Sequence, residues 1–265
     1  MSHPHLLDLF QRIPELQDQR LEDFTISELP GYTNLNYRLK HATQDWVLRI
    51  PKPKTDTYID REAEAHNQDL AMALGLAPRA LWRDAKGTSL TLCLPGRGLQ
   101  SVDFESNDLL QQLTSVMRRL HDSRQAFMGQ VHLAALLERY FDLLPPEQQR
   151  AWMSRLQRAR EQLIWIEPRD VPAVPSHNDP VLENWLFDDD RLWLIDWEFS
   201  AMASPYWDLA IVSNAASLST ERAAELLHFY GTGRTPMEES VLSAYRELLQ
   251  LLSDCWMIAL VCEAE

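Results

Sequence analysis

Cysteine is scarce: Cys93, Cys255 and Cys262 are the only three in 265 residues. They are too few and too scattered for a disulfide framework or a zinc site. No run of about 18 apolar residues occurs, so no membrane-spanning helix is expected. The opening MSHPHLLDLFQRIPELQDQ is polar and lacks the apolar core of a secretory signal. A cytoplasmic protein is the expectation. Basic residues are in deficit, 25 Lys and Arg against 39 Asp and Glu, for a formal net charge of −14. That balance disfavours nucleic acid or an anionic membrane as partner, because both need a basic surface. It suits a cationic small molecule. No internal repeat and no low-complexity tract is present.

What remains is an ordinary globular composition, 45% hydrophobic and 24% charged. The chain is long enough to bury one large core or two. Residues 5–18 carry apolar positions at helical spacing. Phe24–Leu29 then alternates, Pro30-Gly31 punctuates, and Asn36–Leu39 and Asp45–Ile50 form two more strands around the polar turn His41–Gln44. Pro51-Lys52-Pro53-Lys54 stops this meander. Ile59–Leu74 is helical with Gly75 as C-cap. Strands follow at Ala80–Arg83 and Ser89–Leu94, with Lys86-Gly87 between them, and Pro95-Gly96 marks a boundary. Beyond residue 100 helical spacing dominates, over 106–122, 130–142, 147–166, 206–217, 220–230 and 237–262. One β island interrupts it: Trp185–Phe187 and Leu192–Ile195 around Asp188-Asp189-Asp190, the pattern of a hairpin.

Chemistry-bearing residues flank that hairpin. Asp179 and Asn184 lie on the loop that enters it, and Asp196 and Glu198 follow its second strand. A hairpin brings its two ends together, so these oxygens are expected to converge. Asp196 and Glu198 are two apart and face the same side if the strand continues through them. One amide carbonyl and two carboxylates form a hard oxygen site suited to Mg²⁺. Asp179 is then a separate carboxylate, placed to accept a hydrogen bond from a substrate hydroxyl.

These residues resemble the choline, ethanolamine and thiamine kinase branch of the aminoglycoside-phosphotransferase-like, protein-kinase-like superfamily. His177, Asp179 and Asn184 match the catalytic-loop pattern His-x-Asp-x-x-x-x-Asn, and Ile195-Asp196-Trp197-Glu198 resembles the metal-binding motif that follows it. Gly31-Tyr32-Thr33-Asn34-Leu35-Asn36-Tyr37 is similar to the family's loop between the first two strands. Its backbone amides, with Gly31, Thr33, Asn34 and Asn36, are expected to cradle nucleotide phosphates. Val47-Leu48-Arg49-Ile50 resembles the strand whose cation holds phosphate. Glu64, in Asp60-Arg61-Glu62-Ala63-Glu64, is its implied partner, with Glu62 the competing choice. Leu92 and Leu94 would flank adenine. Leu120-His121-Asp122-Ser123 and Tyr206-Trp207-Asp208-Leu209-Ala210 resemble two further family segments. There His121 is structural and Asp208 supports the catalytic loop. The likeness covers residues 25–215 well.

The resemblance implies an α+β, two-lobed protein-kinase-like fold. Residues 1–95 would be a nucleotide-binding lobe, a small antiparallel β-sheet with one main helix. Residues 96–265 would be a mostly helical lobe with a catalytic hairpin, carrying catalysis and substrate. The implied cofactors are ATP and Mg²⁺, with the nucleotide between the lobes. Asp179 and His177 are the catalytic candidates, and Asn184, Asp196 and Glu198 the metal ligands.

The substrate implied is a small cationic alcohol. Nine tryptophans offer faces for a quaternary ammonium. Trp256 is the first choice, then Trp207 and Tyr206, with Glu183 and Trp197 also assigned to the substrate. Asn214 stands near the place where choline kinases carry an acidic residue, and relatives often continue past Glu265. Choline stays first, followed by thiamine, ethanolamine, and an aminoglycoside or sugar. A non-catalytic nucleotide-binding pseudokinase is the rival of another class.

Overall fold

A computed structural model describes residues 4–53, 58–188, 191–232 and 237–264. Lys54 and the hairpin-turn residues Asp189 and Asp190 lie outside them. In chain order the elements are α1 (Pro4–Arg12), β1 (Thr25–Leu29), β2 (Asn34–Lys40), β3 (Asp45–Pro51), α2 (Arg61–Ala73), β4 (Ala80–Arg83), β5 (Ser89–Leu92) and β6 (Arg97–Gly98). There follow α3 (Asn107–His121), α4 (Leu133–Asp142), α5 (Pro146–Ile166), β7 (Val174–Ser176), β8 (Trp185–Asp188), β9 (Arg191–Leu194), β10 (Ala201–Ala203), α6 (Pro205–Ala215), α7 (Thr220–Gly231) and α8 (Glu239–Ala264).

The chain divides into two compact units, Met1–Arg97 with Leu186–Glu198, and Gly98–Trp185 with Phe199–Glu265. By compactness, most of the hairpin thus groups with the N-terminal residues.

In the first unit α1 is shorter than the helical pattern over 5–18 predicts. Pro14 has no N–H to continue the helix, and Ile13 before it is extended (φ −88°, ψ 115°). Five strands form one antiparallel sheet in the order β1-β2-β3-β5-β4. Its register sets Tyr37 against Leu48 and Leu48 against Leu90. These residues, with Leu39 and Trp46, are buried against Leu6, Phe10 and Ile13. Because strand side chains alternate, Arg49 is displayed on the face opposite Leu48. β5 ends at Leu92, short of the predicted Leu94: the N–H of Cys93 still bonds Asp45 (2.9 Å), but Pro95 follows.

Helix α2 starts where the Asp60 carboxylate accepts the N–H groups of Glu62 and Ala63, at 3.1 and 3.0 Å. That cap sets the helical phase, placing Glu64 on the buried side and Glu62 on the exposed one. Gly75 closes the helix at φ +66°. Its N–H bonds Met72, and the N–H of Leu76 bonds Ala71, the paired bonds of a Schellman cap. The same turn receives the hairpin, since the N–H of Leu194 donates to Leu76 at 2.9 Å and Arg191 donates to Gly75 at 2.9 Å.

The second unit is helical around a small sheet in which β7 and β10 pair antiparallel. Three-residue strands are too short to show alternation in sequence, so the pattern misses both. The helix predicted over 130–142 starts only at Leu133, because the N–H of Val131 bonds Met202 at 2.9 Å and keeps that stretch extended. α6 is buried on nearly every side, from Pro205 to Ala210. Ser204 caps it and Pro205 occupies its first position. No described helix is long and apolar enough to cross a membrane.

Candidate active site

Three carboxylates and two arginines meet in the first unit. Arg49 on β3 donates to Glu64 on α2, and its other amino group reaches Asp196 at 3.1 Å. Arg61 donates to Glu64 at 2.8 Å and lies 3.6 Å from Glu198. Oxygens of Glu64, Asp196 and Glu198 all lie within 4.8 Å of one another. Removing one partner from so buried a cluster typically costs about 3–5 kcal/mol. Burial pushes the Asp196 carboxyl above its ordinary value; the charge of Glu198 adds to this and Arg49 opposes it.

The two motif acids do not lie on a continued strand, contrary to the sequence expectation. β9 ends at Leu194, and Asp196 is left-handed at φ +63°. The turn that joins them is anchored by Trp197, which is 1% exposed and donates its indole N–H to Leu194 at 3.1 Å.

Glu198 spends both oxygens on the loop before β2. The Thr33 hydroxyl donates to one at 2.6 Å, and the Asn34 amide donates to the other at 3.0 Å. Lys52 holds the same loop from the carbonyl side, donating to Gly31 at 2.8 Å and Tyr32 at 2.9 Å. Asn36 closes it with a 3.0 Å bond to Pro30. At Gly31 any Cβ would sit 2.5 Å from the Asn34 carbonyl oxygen, so the tight loop requires glycine there. The Thr33 hydroxyl and the Asn34 amide nitrogen are thus committed to Glu198.

In the second unit Asp208, in the first turn of α6 and 1% exposed, organises the loop from His177 to Asn184. It accepts the backbone N–H of His177 at 2.9 Å and of Asn178 at 2.8 Å. His121 Nε2 lies 3.1 Å from the same carboxylate, and His121 Nδ1 lies 2.9 Å from the Tyr230 hydroxyl. A neutral ring donating from Nε2 accepts the tyrosine proton at Nδ1. Burial alone would raise the Asp208 carboxyl, but the bonds from His121 and His177 outweigh it and hold it low. Asn178 is left-handed at φ +65°, and its amide donates to Phe199 at 3.0 Å. Trp207 donates to the carbonyl of Asn178 at 3.0 Å, and Trp185 to that of Pro180 at 3.1 Å.

Asp179 is the half-buried residue this scaffold presents. Asn184 donates to its carbonyl at 2.9 Å and to its carboxylate at 3.1 Å.

The other predicted site residues are placed as follows. His177 is fully buried and its Nδ1 accepts the Asp179 N–H at 3.3 Å, a contact that braces the loop. Trp197, Tyr206 and Trp207 are buried, so none of them presents an open ring face. The Tyr206 hydroxyl accepts the N–H of Glu238 at 2.7 Å and its ring stacks on Tyr245. Glu183 is exposed in the short turn Leu182–Asn184. Leu92 is an exposed strand end, and Leu94 lies past the strand.

Trp256 is half-buried, stacked on Tyr140 with centroids 5.7 Å apart and edge-on to Phe199 at 6.4 Å. Sequence reasoning missed Tyr140 and Phe199, which nothing in their local pattern distinguishes. It also missed Lys52 and Arg61, although Arg61 lies inside the motif that supplied Glu64.

The sequence profile of the phosphotransferase enzyme family matches residues 25–240. The chain is 35% identical over 210 residues to Protein LicA of Haemophilus influenzae, an alignment covering 77% of this chain and 62% of that protein. The crystal structure of a choline/ethanolamine kinase family protein from Mesorhizobium loti superposes with a TM-score of 0.83 at 25% identity, covering 100% of this chain and 88% of that one. The choline kinase LicA of Streptococcus pneumoniae superposes with a TM-score of 0.83 at 22% identity, covering 98% and 92%. The fold is therefore the protein-kinase-like α+β fold.

Proposed function

The chain belongs to the phosphotransferase enzyme family, and from that premise we propose that it transfers the γ-phosphate of ATP to the hydroxyl of a small cationic alcohol, choline first. The observation that carries this reading is the loop of Asp179. Its carboxylate is held by Asn184 at 3.1 Å, on a backbone fixed by Asp208. Nothing in an ordinary surface turn calls for a buried acid to fix two successive N–H groups. A loop that must present one carboxylate at a set position does.

The roles follow from chemistry. Asp179 orients the substrate hydroxyl and accepts its proton. Arg49, held by Glu64, steadies the phosphates of the nucleotide, aided by the backbone of the Gly31–Asn34 loop. Residues 1–95 would serve nucleotide binding and 96–265 catalysis and substrate, with the hairpin segment Leu186–Glu198 packed into the same compact unit as the former. The hard carboxylate oxygens of Asp196 suit Mg²⁺, which when bound would neutralise phosphate charge. Since phosphoryl transfer needs little covalent participation from the protein, positioning and charge neutralisation supply most of the rate.

Choline is favoured on two grounds. The Streptococcus pneumoniae neighbour is a choline kinase, and the 35% relative from Haemophilus influenzae shares the name LicA. Tyr140, Phe199 and Trp256 form a partly exposed aromatic cluster, the surface a quaternary ammonium prefers. Ethanolamine follows, as the Mesorhizobium loti neighbour is of a choline/ethanolamine kinase family.

A coupled ADP-release assay with MgATP across choline, ethanolamine, thiamine, sugars and aminoglycosides tests the reading. Turnover on choline that vanishes in Asp179→Ala is the expected result. Turnover on another alcohol replaces the substrate, and nucleotide binding without any turnover overturns the kinase.

A further inference from the structure

We infer that Glu198 is a positioning residue for the Gly31–Asn34 loop, holding it through Thr33 and Asn34, and that metal ligation is not its main task. The inference rests on that loop being the nucleotide loop proposed above. Glu198 stands two residues after Asp196, so sequence spacing groups the two as ligands of one metal. Their oxygens approach within 4.8 Å, but their partners differ. Asp196 accepts a hydrogen bond from the charged group of Arg49 at 3.1 Å. Both oxygens of Glu198 are occupied by neutral donors, at 2.6 and 3.0 Å, from residues 165 and 164 positions away.

Thr33, Asn34 and Glu198 are 7%, 2% and 7% exposed. Hydrogen bonds to a charged acceptor in so dry a setting are stronger than neutral ones. Arg61, 3.6 Å away, compensates the carboxylate. A metal taking an oxygen of Glu198 would have to share it with the Thr33 hydroxyl or the Asn34 amide, weakening a buried hydrogen bond. Lys52 holds the loop by the carbonyls of Gly31 and Tyr32 and, through its own N–H, by that of Thr33 at 2.9 Å. Glu198 supplies the opposing grip on the side chains. With both grips in place the loop is fixed before nucleotide arrives, so binding need not supply that ordering.

The experiment compares the full chain with Glu198→Gln, Thr33→Val, Thr33→Ser and the Glu198→Gln/Thr33→Val pair. Amide hydrogen exchange over residues 31–36 is followed in EDTA, and ADP binding by calorimetry in EDTA and in Mg²⁺. Glu198→Gln should speed exchange in the loop roughly ten- to hundredfold, the loss expected for a hydrogen bond to a charged group. It should weaken ADP by a similar factor with and without Mg²⁺. Thr33→Val should reproduce the effect, the pair should add little to either single change, and Thr33→Ser, which keeps the hydroxyl, should match wild type. Thr33→Val leaves Glu198 and Arg61 in place, so it decides the matter even where Glu198→Gln does not fold. Unchanged exchange, with ADP weakened only in Mg²⁺, would make Glu198 a metal ligand and overturn the inference. A wild-type chain that binds no ADP would instead overturn the nucleotide reading, while the exchange comparison still reports on the tether.

Discussion

Asp208 accepts the backbone N–H of Asn178 at 2.8 Å across 30 positions of chain, and Asn178 is held there at φ +65°. The left-handed region costs an L residue about 1–2 kcal/mol. The carboxylate sustains that conformation, and the next residue along is Asp179.

Replacing Asp208 with Asn keeps its shape and removes its charge. One of the paired N–H acceptors becomes a donor, facing His121 or the loop. Urea unfolding should show a loss of about 2–4 kcal/mol, and kcat should fall at least tenfold in the folded fraction. A variant of unchanged stability and turnover would show that the loop does not depend on this brace.

The same carboxyl gives a pH signature. Its folded-state pKa lies below the ordinary aspartate value, mainly because the His121 and His177 bonds outweigh burial. A depressed carboxyl contributes stability that is complete above the unfolded pKa, about 4, and is lost as pH falls through the folded one. Unfolding free energy should therefore drop below about pH 4, less steeply in Asp208→Asn. Parallel curves for the two proteins would contradict this.

Asp179→Ala should leave nucleotide affinity within about twofold and lower kcat by about 10²–10⁴, the range for losing a general base. Calorimetry with ADP and the ADP-release assay read the two quantities separately. Retention of most of kcat would remove Asp179 from the chemistry.

Arg49 contacts two carboxylates at once, Glu64 and Asp196. Lysine keeps the charge but not the planar fork. Arg49→Lys should raise the KM for ATP about tenfold, with a smaller change in the KM for the alcohol. An ATP KM equal to that of wild type would show that the fork is dispensable.

Trp256→Ala should raise the KM for choline about 2- to 30-fold, the span of one cation–π contact, with kcat and the KM for ATP nearly unchanged. Tyr140→Leu, which removes its stacked partner, should do the same more weakly. An unaltered choline KM in both would place the alcohol elsewhere.

Motifs carried by consecutive residues are legible because their geometry is local. His177, Asp179 and Asn184 share one loop, so their spacing states their relation before any fold is known. The strands of the first sheet were legible too, since alternation in β2 and β3 reflects one buried face. Burial of the aromatics was not. Trp197, Tyr206 and Trp207 stand beside chemistry in sequence, and only packing shows that their rings are interior while Trp256 remains partly open. Nor was the partner of Glu198 legible, because Thr33 lies 165 residues away.

The sequence by itself determined which groups are present and their local order: an acid and an amide five apart before a hairpin, two acids after it, an arginine on a strand and acids opening a helix. Periodicity and punctuation separated a sheet-rich part from a helical one, and the likeness of its motifs to a known family implied the fold class. Tertiary structure decided which of these groups meet. The cap at Asp60 set the phase that turned Glu64 toward Arg49 and Glu62 to solvent. The left-handed turn at Asp196 sent Glu198 to the Thr33 loop, and α6 carried Asp208 beneath the loop of Asp179. Pairing over such separations depends on how helices and strands pack, and that depends on the burial of the whole chain.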